Sequence, residues 1–171
     1  MTDEYLMLCV KNGDMDKAAI LYERYKKKLY NFFLYKSNGD KEKSEDGVHQ
    51  VFYRMIKYRQ SYKEANNFRV WIYSIAWNIQ HQDFQQQARM NDVRANYQAT
   101  EEYTLIDDRH AAVHYALKQL PGPYREVLVM SRFLGLKYDE IAEINNCSVG
   151  VIKTRVFRAI SSLREVYFKI S

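Results

Sequence analysis

The sequence predicts an all-α protein built from two small helical domains that a flexible linker joins. The chain has only six glycines and two prolines in 171 residues, and both prolines fall in Pro121-Gly122-Pro123. Sandwiches and barrels need turn signals about every 8–12 residues, which this chain lacks. Apolar residues instead recur with helical spacing, and the positive charge lies in two separate blocks.

The charge distribution divides the chain into three parts. Residues 1–90 hold 15 Lys/Arg and 11 Asp/Glu, residues 91–110 hold 2 and 5, and residues 111–171 hold 9 and 5. The net charges are therefore +4, −3 and +4 within a total of +5. The middle part is polar and weakly periodic, as is typical of a linker. We assign a first domain to 1–87, a linker to 88–110 and a second domain to 111–171.

Composition and spacing exclude several classes of protein. Cys9 and Cys147 stand far apart and predict neither a disulfide framework nor a metal site. The start of the chain is acidic where a signal peptide would be basic, and no apolar run approaches the ~18 residues of a membrane span. We find no metal-ligand spacing, phosphate loop or nucleophile elbow. We therefore expect a cytoplasmic protein without membrane insertion, catalytic residues, metal or cofactor.

Three amphipathic helices are predicted in the first domain. The first ends at the turn-forming Asn38-Gly39-Asp40, and the second begins at Ser44-Glu45-Asp46, with carboxylates near the positive end of its dipole. Gly47 inside this helix is unfavourable by roughly 0.5–1 kcal/mol relative to Ala. A loop over 61–67 precedes the third helix. The three apolar stripes, in order, are Leu21, Tyr25, Leu29 and Phe32; Val48, Val51, Phe52, Met55 and Ile56; and Phe68, Trp71, Ile72, Ile75, Ala76 and Ile79.

The opposite face of the third helix carries apolar and aromatic residues where Lys and Glu are usual. Amide side chains, Asn78 among them, interleave with these rings. Aromatic rings stack on unpaired nucleobases, and amides hydrogen-bond to base edges. Two interpretations stay open from the residues alone: a helix buried between its neighbours, or a surface that binds unpaired nucleotides. The row consists of Val70, Tyr73, Trp77, His81 and Phe84.

The second domain is expected to hold four short helices, with Pro121-Gly122-Pro123 closing the first. The third is very short and ends at Asn145-Asn146, where asparagine tolerates the left-handed conformation. Ser148 can then cap a longer basic helix. A short helix, a tight turn and a longer helix form the helix-turn-helix pattern, whose second helix enters the major groove of DNA.

The face of the last helix opposite its apolar stripe is the candidate DNA-binding surface. Lys153 and Arg155 lie on its flanks and are expected to contact phosphates, while Arg158 is the best candidate for a bidentate contact with guanine. The alternative is a bundle helix with a solvated basic face. The candidate residues are Ser148, Gly150, Val151, Lys153, Thr154, Arg155, Phe157 and Arg158.

Two sets of motifs stand in order along the chain. The second domain contains Leu117-Lys118-Gln119-Leu120-Pro121, Tyr124-Arg125-Glu126-Val127-Leu128, Tyr138-Asp139-Glu140-Ile141-Ala142-Glu143 and Ser148-Val149-Gly150-Val151-Ile152-Lys153-Thr154-Arg155. The first contains Ser44-Glu45-Asp46-Gly47-Val48-His49-Gln50-Val51-Phe52, Phe68, Trp71-Ile72-Tyr73 and Ile75-Ala76-Trp77-Asn78. The second domain resembles the promoter −35-binding domain of the sigma-70 family, and the first resembles the −10-binding domain of the same family. The two together resemble the layout of its extracytoplasmic-function (ECF) group.

The resemblance implies a set of partners. The helix around 44–58 would bind the clamp helices of core RNA polymerase. Asp46 and Phe52 match the family there, whereas His49 and Gln50 depart from it. The loop at 61–67 and the following helix would capture the melted −10 strand, with Asn78 handling a flipped base. The last helix would bind the duplex −35 element, and an anti-sigma factor is an expected further partner.

Parts of the sequence are also compatible with two other classes of function. A helix-turn-helix regulator that acts without polymerase is the main alternative. Asp107-Asp108-Arg109-His110 offers acids and a histidine for a nuclease, but this stretch falls within the assigned linker.

Overall fold

The structure is a computed structural model that describes residues 1–37, 39–91 and 108–170. The chain divides into two compact units, Met1–Gln98 and Ala99–Ser171. Within the described residues the elements are helical. They are α1 Asp3–Lys11, α2 Asp16–Lys36, α3 Lys41–Lys57, a 3₁₀ turn Arg59–Ser61, α4 Phe68–Asn91, α5 Asp108–Gln119, α6 Gly122–Leu128, a π-helical turn Val129–Phe133, α7 Tyr138–Ile144 and α8 Val149–Ile170.

The core of the first unit lies between α2, α3 and α4, and α1 packs on α2 and α4. This arrangement confirms the predicted three-helix core with an additional N-terminal element. Amphipathic helices gain most of their stability from burying an apolar face in this way. The largest fully buried side chains of this unit are Leu6, Met7, Leu21, Leu29, Phe32, Met55, Tyr62, Phe68 and Ile72.

The second predicted helix begins earlier than expected. It starts at Lys41, because the Asp40 carboxylate accepts a hydrogen bond from the Lys43 backbone N–H at 3.0 Å and so caps the helix. Ser44, predicted at the start, lies inside α3 and is fully buried. Its hydroxyl donates to the Asp40 carbonyl at 2.6 Å. Of the predicted turn before it, Gly39 has a φ of +87°, and Asn38 lies outside the described residues.

Gly47 of α3 lies directly against the ring of Phe33 on α2. A Cβ at this position would lie 2.6–2.8 Å from the ring carbons of Phe33, which real Cβ atoms essentially never do. The absence of a side chain therefore explains a glycine that helix propensity disfavours.

Both ends of the stretch assigned as a linker, 88–110, are helical. Helix α4 continues to Asn91 and α5 already begins at Asp108. The stretch 85–90 consists of Gln, Ala, Arg and Met, which all have good helix propensity, and this explains the continuation of α4. Residues 92–107 lie outside the described part of the chain.

The second unit packs α5, α6 and α7 against α8, which confirms the predicted four-helix unit. Arg125 closes the end of α5, since its guanidinium donates to the carbonyls of Leu117, Lys118 and Leu120 at 2.8–3.2 Å. His114 is buried, and burial, with Lys118 and Arg125 adding to it, lowers the pKa of this imidazole below its ordinary value. The neutral histidine is therefore part of the core.

The turn between α7 and α8 has the geometry that the sequence predicts. Asn146 adopts a left-handed φ of 52°, and the Ser148 hydroxyl accepts from the Val151 N–H at 3.3 Å as the cap of α8. Lys137 gives α7 no side-chain cap. The Glu140 carboxylate instead accepts from the Lys137 backbone N–H at 2.8 Å.

The close approach of Gly47 to Phe33 generates a testable prediction. Gly47→Ala should raise the stability of the helix by up to ~1 kcal/mol through helix propensity. The added methyl group, however, overlaps the Phe33 ring, and overpacking of this kind typically lowers the stability of the fold by ~1–3 kcal/mol. We expect a net loss of stability in urea unfolding followed by tryptophan fluorescence, because both tryptophans lie in α4 of the same unit.

Phe33→Leu in the same background provides the control. The double variant should lose less stability than the two single losses combined, since a smaller side chain at 33 makes room for the methyl group. A Gly47→Ala protein that is more stable than the parent would contradict the packing described above.

Candidate nucleic-acid interface

A cleft of about 230 Å³ opens between the end of α3 and the first half of α4. Three lining residues lie at i, i+4 and i+7 of α4 and so share one face of that helix. The cleft is smaller than the ~300–1,000 Å³ of pockets for drug-sized ligands, and a single planar group such as a nucleobase suits it. The lining residues are Arg54, Tyr58, Ser61, Trp71, Ile75 and Asn78.

The lining combines the groups that recognise an unpaired base. Trp71 and Tyr58 offer rings for stacking, and the exposed Asn78 amide offers both a donor and an acceptor. The Arg54 guanidinium is held in place because it donates to the Gln82 side-chain oxygen at 2.9 Å. The Ser61 hydroxyl donates to the Tyr58 carbonyl at 2.7 Å. The cleft is therefore able to stack on a base and hydrogen-bond to its edge.

Helix α1 braces the segment that joins α3 to α4. The Lys11 ammonium donates to the Tyr62 carbonyl at 2.6 Å, and the Gln60 amide donates to the Lys11 carbonyl at 2.9 Å. The Glu4 carboxylate accepts from the Phe68 backbone N–H at the start of α4, at 3.2 Å. Three polar contacts from one helix therefore fix both ends of the segment 60–68.

Tyr62 connects this brace to the cleft. Its ring is fully buried, and its centroid lies 5.1 Å from that of Trp71 in an edge-to-face contact. The hydroxyl donates to the Asn66 carbonyl at 2.7 Å. Burial, with the carboxylates of Glu4 and Asp3 adding to it, raises the pKa of Tyr62 to about 12, so that the phenol stays protonated at neutral pH.

The row predicted to bind the −10 strand does not form one surface. Tyr73 is only 2% exposed and its ring centroid lies 6.0 Å from that of Tyr25, so the expectation of an exposed ring at this position is wrong. Val70 is buried as well. Burial between neighbouring helices therefore describes the first two positions of the predicted row, Val70 and Tyr73. The side chain of Phe84 lies outside the described residues.

Trp77 and His81 form a separate cluster on α4. Their ring centroids lie 4.1 Å apart, and the Lys36 ammonium lies 5.5 Å from the Trp77 ring centroid. Trp77 is half-buried and His81 exposed. Among the predicted −10 residues only Asn78 lines the cleft, because it stands about 100° further around the helix than Trp77.

Of the six residues that line the cleft, only Asn78 was named as a −10 candidate, although Ser61 falls in the predicted loop 61–67 and two others lie on the predicted helix. Trp71 and Ile75 follow the core period of α4 but are only half-buried, because the α3–α4 segment leaves their outer edges uncovered. Arg54, Tyr58 and Ser61 carried no periodic signal. The signal that the sequence does contain is the spacing of Trp71 and Asn78, which stand seven positions apart and so share one face of α4.

The surface predicted to bind polymerase lies on α3 and is largely exposed. Asp46, His49 and Gln50 share one exposed face. Phe52 points away from it, is 7% exposed, and packs edge-on against Tyr22 with centroids 4.9 Å apart. The Phe52 ring is therefore part of the core, and the assignment of this residue to the polymerase contact stays a prediction. Tyr53, which is 61% exposed, continues the face one turn further.

The candidate −35 residues lie where the sequence predicts, along α8. All of them are exposed except Arg155, which is half-buried. The opposite side of α8 is held in the core by Ile152, Val156 and Ala159. The basic flank and the exposed face therefore point away from the unit, as a helix that enters a groove requires.

Two further findings concern membranes and metals. No helix in the described residues is both long and apolar enough to cross a membrane. The same part of the chain holds no cluster of three or more His, Cys, Asp and Glu side chains that could bind a metal ion.

Each of the two units matches a family of known proteins. Residues 21–90 match the family model of sigma-70 region 2, and residues 110–163 match that of sigma-70 region 4. The chain is 28% identical to the ECF RNA polymerase sigma-E factor of Escherichia coli strain K12, over 93% of this chain and 91% of the relative. It is also 28% identical to the ECF RNA polymerase sigma factor SigW of Bacillus subtilis strain 168, over 91% of each.

Solved structures share the fold. CnrH, in complex with the cytosolic domain of CnrY, matches with a TM-score of 0.77 at 22% identity over 99% of each chain. The sigma factor RpoE of Bartonella quintana, in complex with the anti-sigma factor NepR, matches with a TM-score of 0.72 at 23% identity, over 86% of this chain and 94% of that one.

Region 2 followed by region 4 defines an RNA polymerase sigma factor. The chain belongs to the sigma-70 family, in its extracytoplasmic-function group.

The brace from α1 generates a testable prediction. Lys11→Met keeps the aliphatic stem but removes the hydrogen bond to the Tyr62 carbonyl. We expect about tenfold faster hydrogen–deuterium exchange of the amides in 59–67, since a hydrogen bond from a charged group contributes ~1.5 kcal/mol. Lys17→Met is the matched control, because Lys17 only approaches Asp14 at 3.9 Å. Equal exchange in the two variants would show that Lys11 does not hold the segment.

Proposed function

We propose that this sigma factor directs core RNA polymerase to specific promoters by two separate contacts with DNA and performs no catalysis of its own. Helix α8 binds the duplex −35 element, and the cleft between α3 and α4 holds an unpaired base of the −10 element. The observation that carries the proposal is the cleft itself, in which Asn78, Trp71 and Tyr58 meet beside an anchored Arg54.

Energetics support a stacking pocket at the −10 position. Extruding a base from the duplex costs a few kcal/mol. Stacking on an aromatic side chain contributes ~1–3 kcal/mol per base, which offsets much of this cost. The Asn78 amide adds hydrogen bonds that depend on the identity of the base. The cleft therefore both stabilises a melted strand and reads one of its bases.

The second cluster on α4 supports a supplementary contact. The rings of Trp77 and His81 are in contact, tilted by 35°, beside Lys36, so the cluster offers a ring and a cation to a neighbouring nucleotide or phosphate. The exposed face of α3 with Asp46, His49 and Gln50 is the proposed contact with polymerase. Phe52 supports this face from within the core.

The proposed functional domains keep the sequence assignment, 1–87 for polymerase and the −10 element and 111–171 for the −35 element. An anti-sigma factor is a proposed partner, because RpoE of Bartonella quintana was solved in complex with one. We propose that the protein acts in the cytoplasm, at the nucleoid when it is active.

A helix-turn-helix regulator that acts without polymerase remains the second candidate. The exposed basic helix α8 alone favours it, but the base-sized cleft in the first unit has no use in such a regulator. The candidate nuclease residues 107–110 fall outside the described side chains and gain no support.

Promoter-directed transcription tests the proposal. With core polymerase and genomic DNA fragments, the protein should produce runoff transcripts from specific starts. Asn78→Ala should lower open-complex formation about fivefold, as expected from the loss of ~1 kcal/mol of hydrogen bonding to one base, while binding of the −35 duplex stays unchanged.

Gln80→Ala is the matched control, since this amide lies two residues further along α4 and so on its far side. Specific duplex binding without any polymerase-dependent transcript would support the stand-alone regulator instead. Equal open-complex formation by the two variants would remove Asn78 from the base-binding site.

A further inference from the structure

The stripe of α4 that lines the cleft continues beyond it by one helical turn. Trp71, Ile75, Asn78 and Gln82 stand at i, i+4, i+7 and i+11, so all four lie on one face of the helix. The first three line the cleft. The fourth is exposed, and its side-chain oxygen accepts a hydrogen bond from Arg54 Nη2 on α3 at 2.9 Å. Gln82 therefore connects the two helices at the rim of the cleft.

The hydrogen bond between Arg54 and Gln82 lies at the end of the cleft away from the segment that joins α3 to α4. Arg54 comes one turn before Tyr58, the last residue before the 3₁₀ turn, and Gln82 comes one turn after Asn78. The other end of the cleft is formed by the joining segment, which α1 holds in place. Each end of the cleft therefore has its own polar contact that restrains its walls.

This hydrogen bond restrains the cation in the lining of the cleft. An arginine side chain loses much rotamer freedom when it is ordered, and a side chain that is already held in the free protein loses less on binding. The guanidinium has five N–H donors, and the hydrogen bond to Gln82 uses one of them. The half-buried Arg54 therefore keeps donors for an acceptor on a base or phosphate in the cleft, at a position that Gln82 sets.

We propose that Gln82 is a positioning residue of the cleft: it contacts no DNA and acts on the bound base through the guanidinium of Arg54. The inference rests on the proposed function, because it assumes that the cleft holds an unpaired base, and it adds a residue outside the lining. An amide suits this position better than a carboxylate, which would neutralise a cation that attracts phosphate. Without the amide oxygen, Arg54 is free to adopt other rotamers, and the base is held less well.

A double-mutant cycle with a fluorescent base tests the inference. The full-length protein and core polymerase are bound at saturation to a promoter in which 2-aminopurine replaces one base of the non-template −10 strand at a time. Stacking on an aromatic ring quenches this base, so one position should be dark in the parent complex. Gln82→Met keeps the length of the side chain without the amide oxygen. It should brighten that position and lower open-complex formation about fivefold, the effect of one hydrogen bond.

The second arm of the cycle separates a positioning role from a direct contact with DNA. In an Arg54→Met background, Gln82→Met should have no further effect on fluorescence or open-complex formation, because the group through which Gln82 acts is already absent. A residue that contacts DNA by itself would instead add its full effect in both backgrounds.

Gln86→Met is the matched control. Gln86 is exposed and lies one turn beyond Gln82 on the same helix, so this variant removes the same kind of amide and leaves the hydrogen bond to Arg54 intact. Its fluorescence and open-complex formation should match those of the parent. Met and Gln have similar helix propensity, so circular dichroism should show equal helical content in both variants.

Two results would overturn the inference while leaving the proposed function intact: parent-like behaviour of Gln82→Met, or an equally large effect of Gln82→Met with and without Arg54. A parent complex in which no −10 position is quenched relative to its neighbours would overturn the proposed −10 contact and this inference together.

Discussion

The position of the segment between α3 and α4 is the constraint on which the first unit depends. One wall of the cleft comes from the end of α3 and the 3₁₀ turn, and the other from α4. The segment carries no regular helix after Ser61, so contacts outside it must hold it in place. Helix α1 supplies these contacts through hydrogen bonds of Lys11 and Glu4, and Gln60 of the segment donates back to the Lys11 carbonyl. The buried ring of Tyr62 then packs edge-to-face against Trp71 in the lining of the cleft.

The same constraint explains why the two proposed DNA contacts differ in chemistry. A groove-reading helix needs only an exposed face and cations, which α8 has after its capped start at Ser148. An unpaired base needs two opposed walls at a fixed separation, and two elements must be held together to provide them. The net charge of +5 therefore gives little indication of the proposed −10 contact, because the lining of the cleft offers rings and an amide as well as one cation.

Local features of the fold were predictable from the sequence, and long-range ones were not. The left-handed Asn146 and the cap at Ser148 depend on neighbours within a few residues and were predicted correctly. The burial of Tyr73 and Phe52 depends on Tyr25 and Tyr22, which lie on α2 and which a periodic pattern cannot identify. The Lys11–Tyr62 hydrogen bond joins residues 51 positions apart, and no local sequence pattern predicts such a contact.

Photo-crosslinking with 5-iodouracil or 5-iodocytosine tests the central claim most directly. The halogenated base is placed at one position at a time along the non-template −10 strand of a promoter bound by the holoenzyme, and crosslinked residues are mapped by mass spectrometry. The cleft predicts one position that crosslinks mainly to Trp71 or Tyr58 and loses this crosslink in Asn78→Ala. Crosslinks that map to Trp77 at every position, with none to the lining of the cleft, would contradict the account.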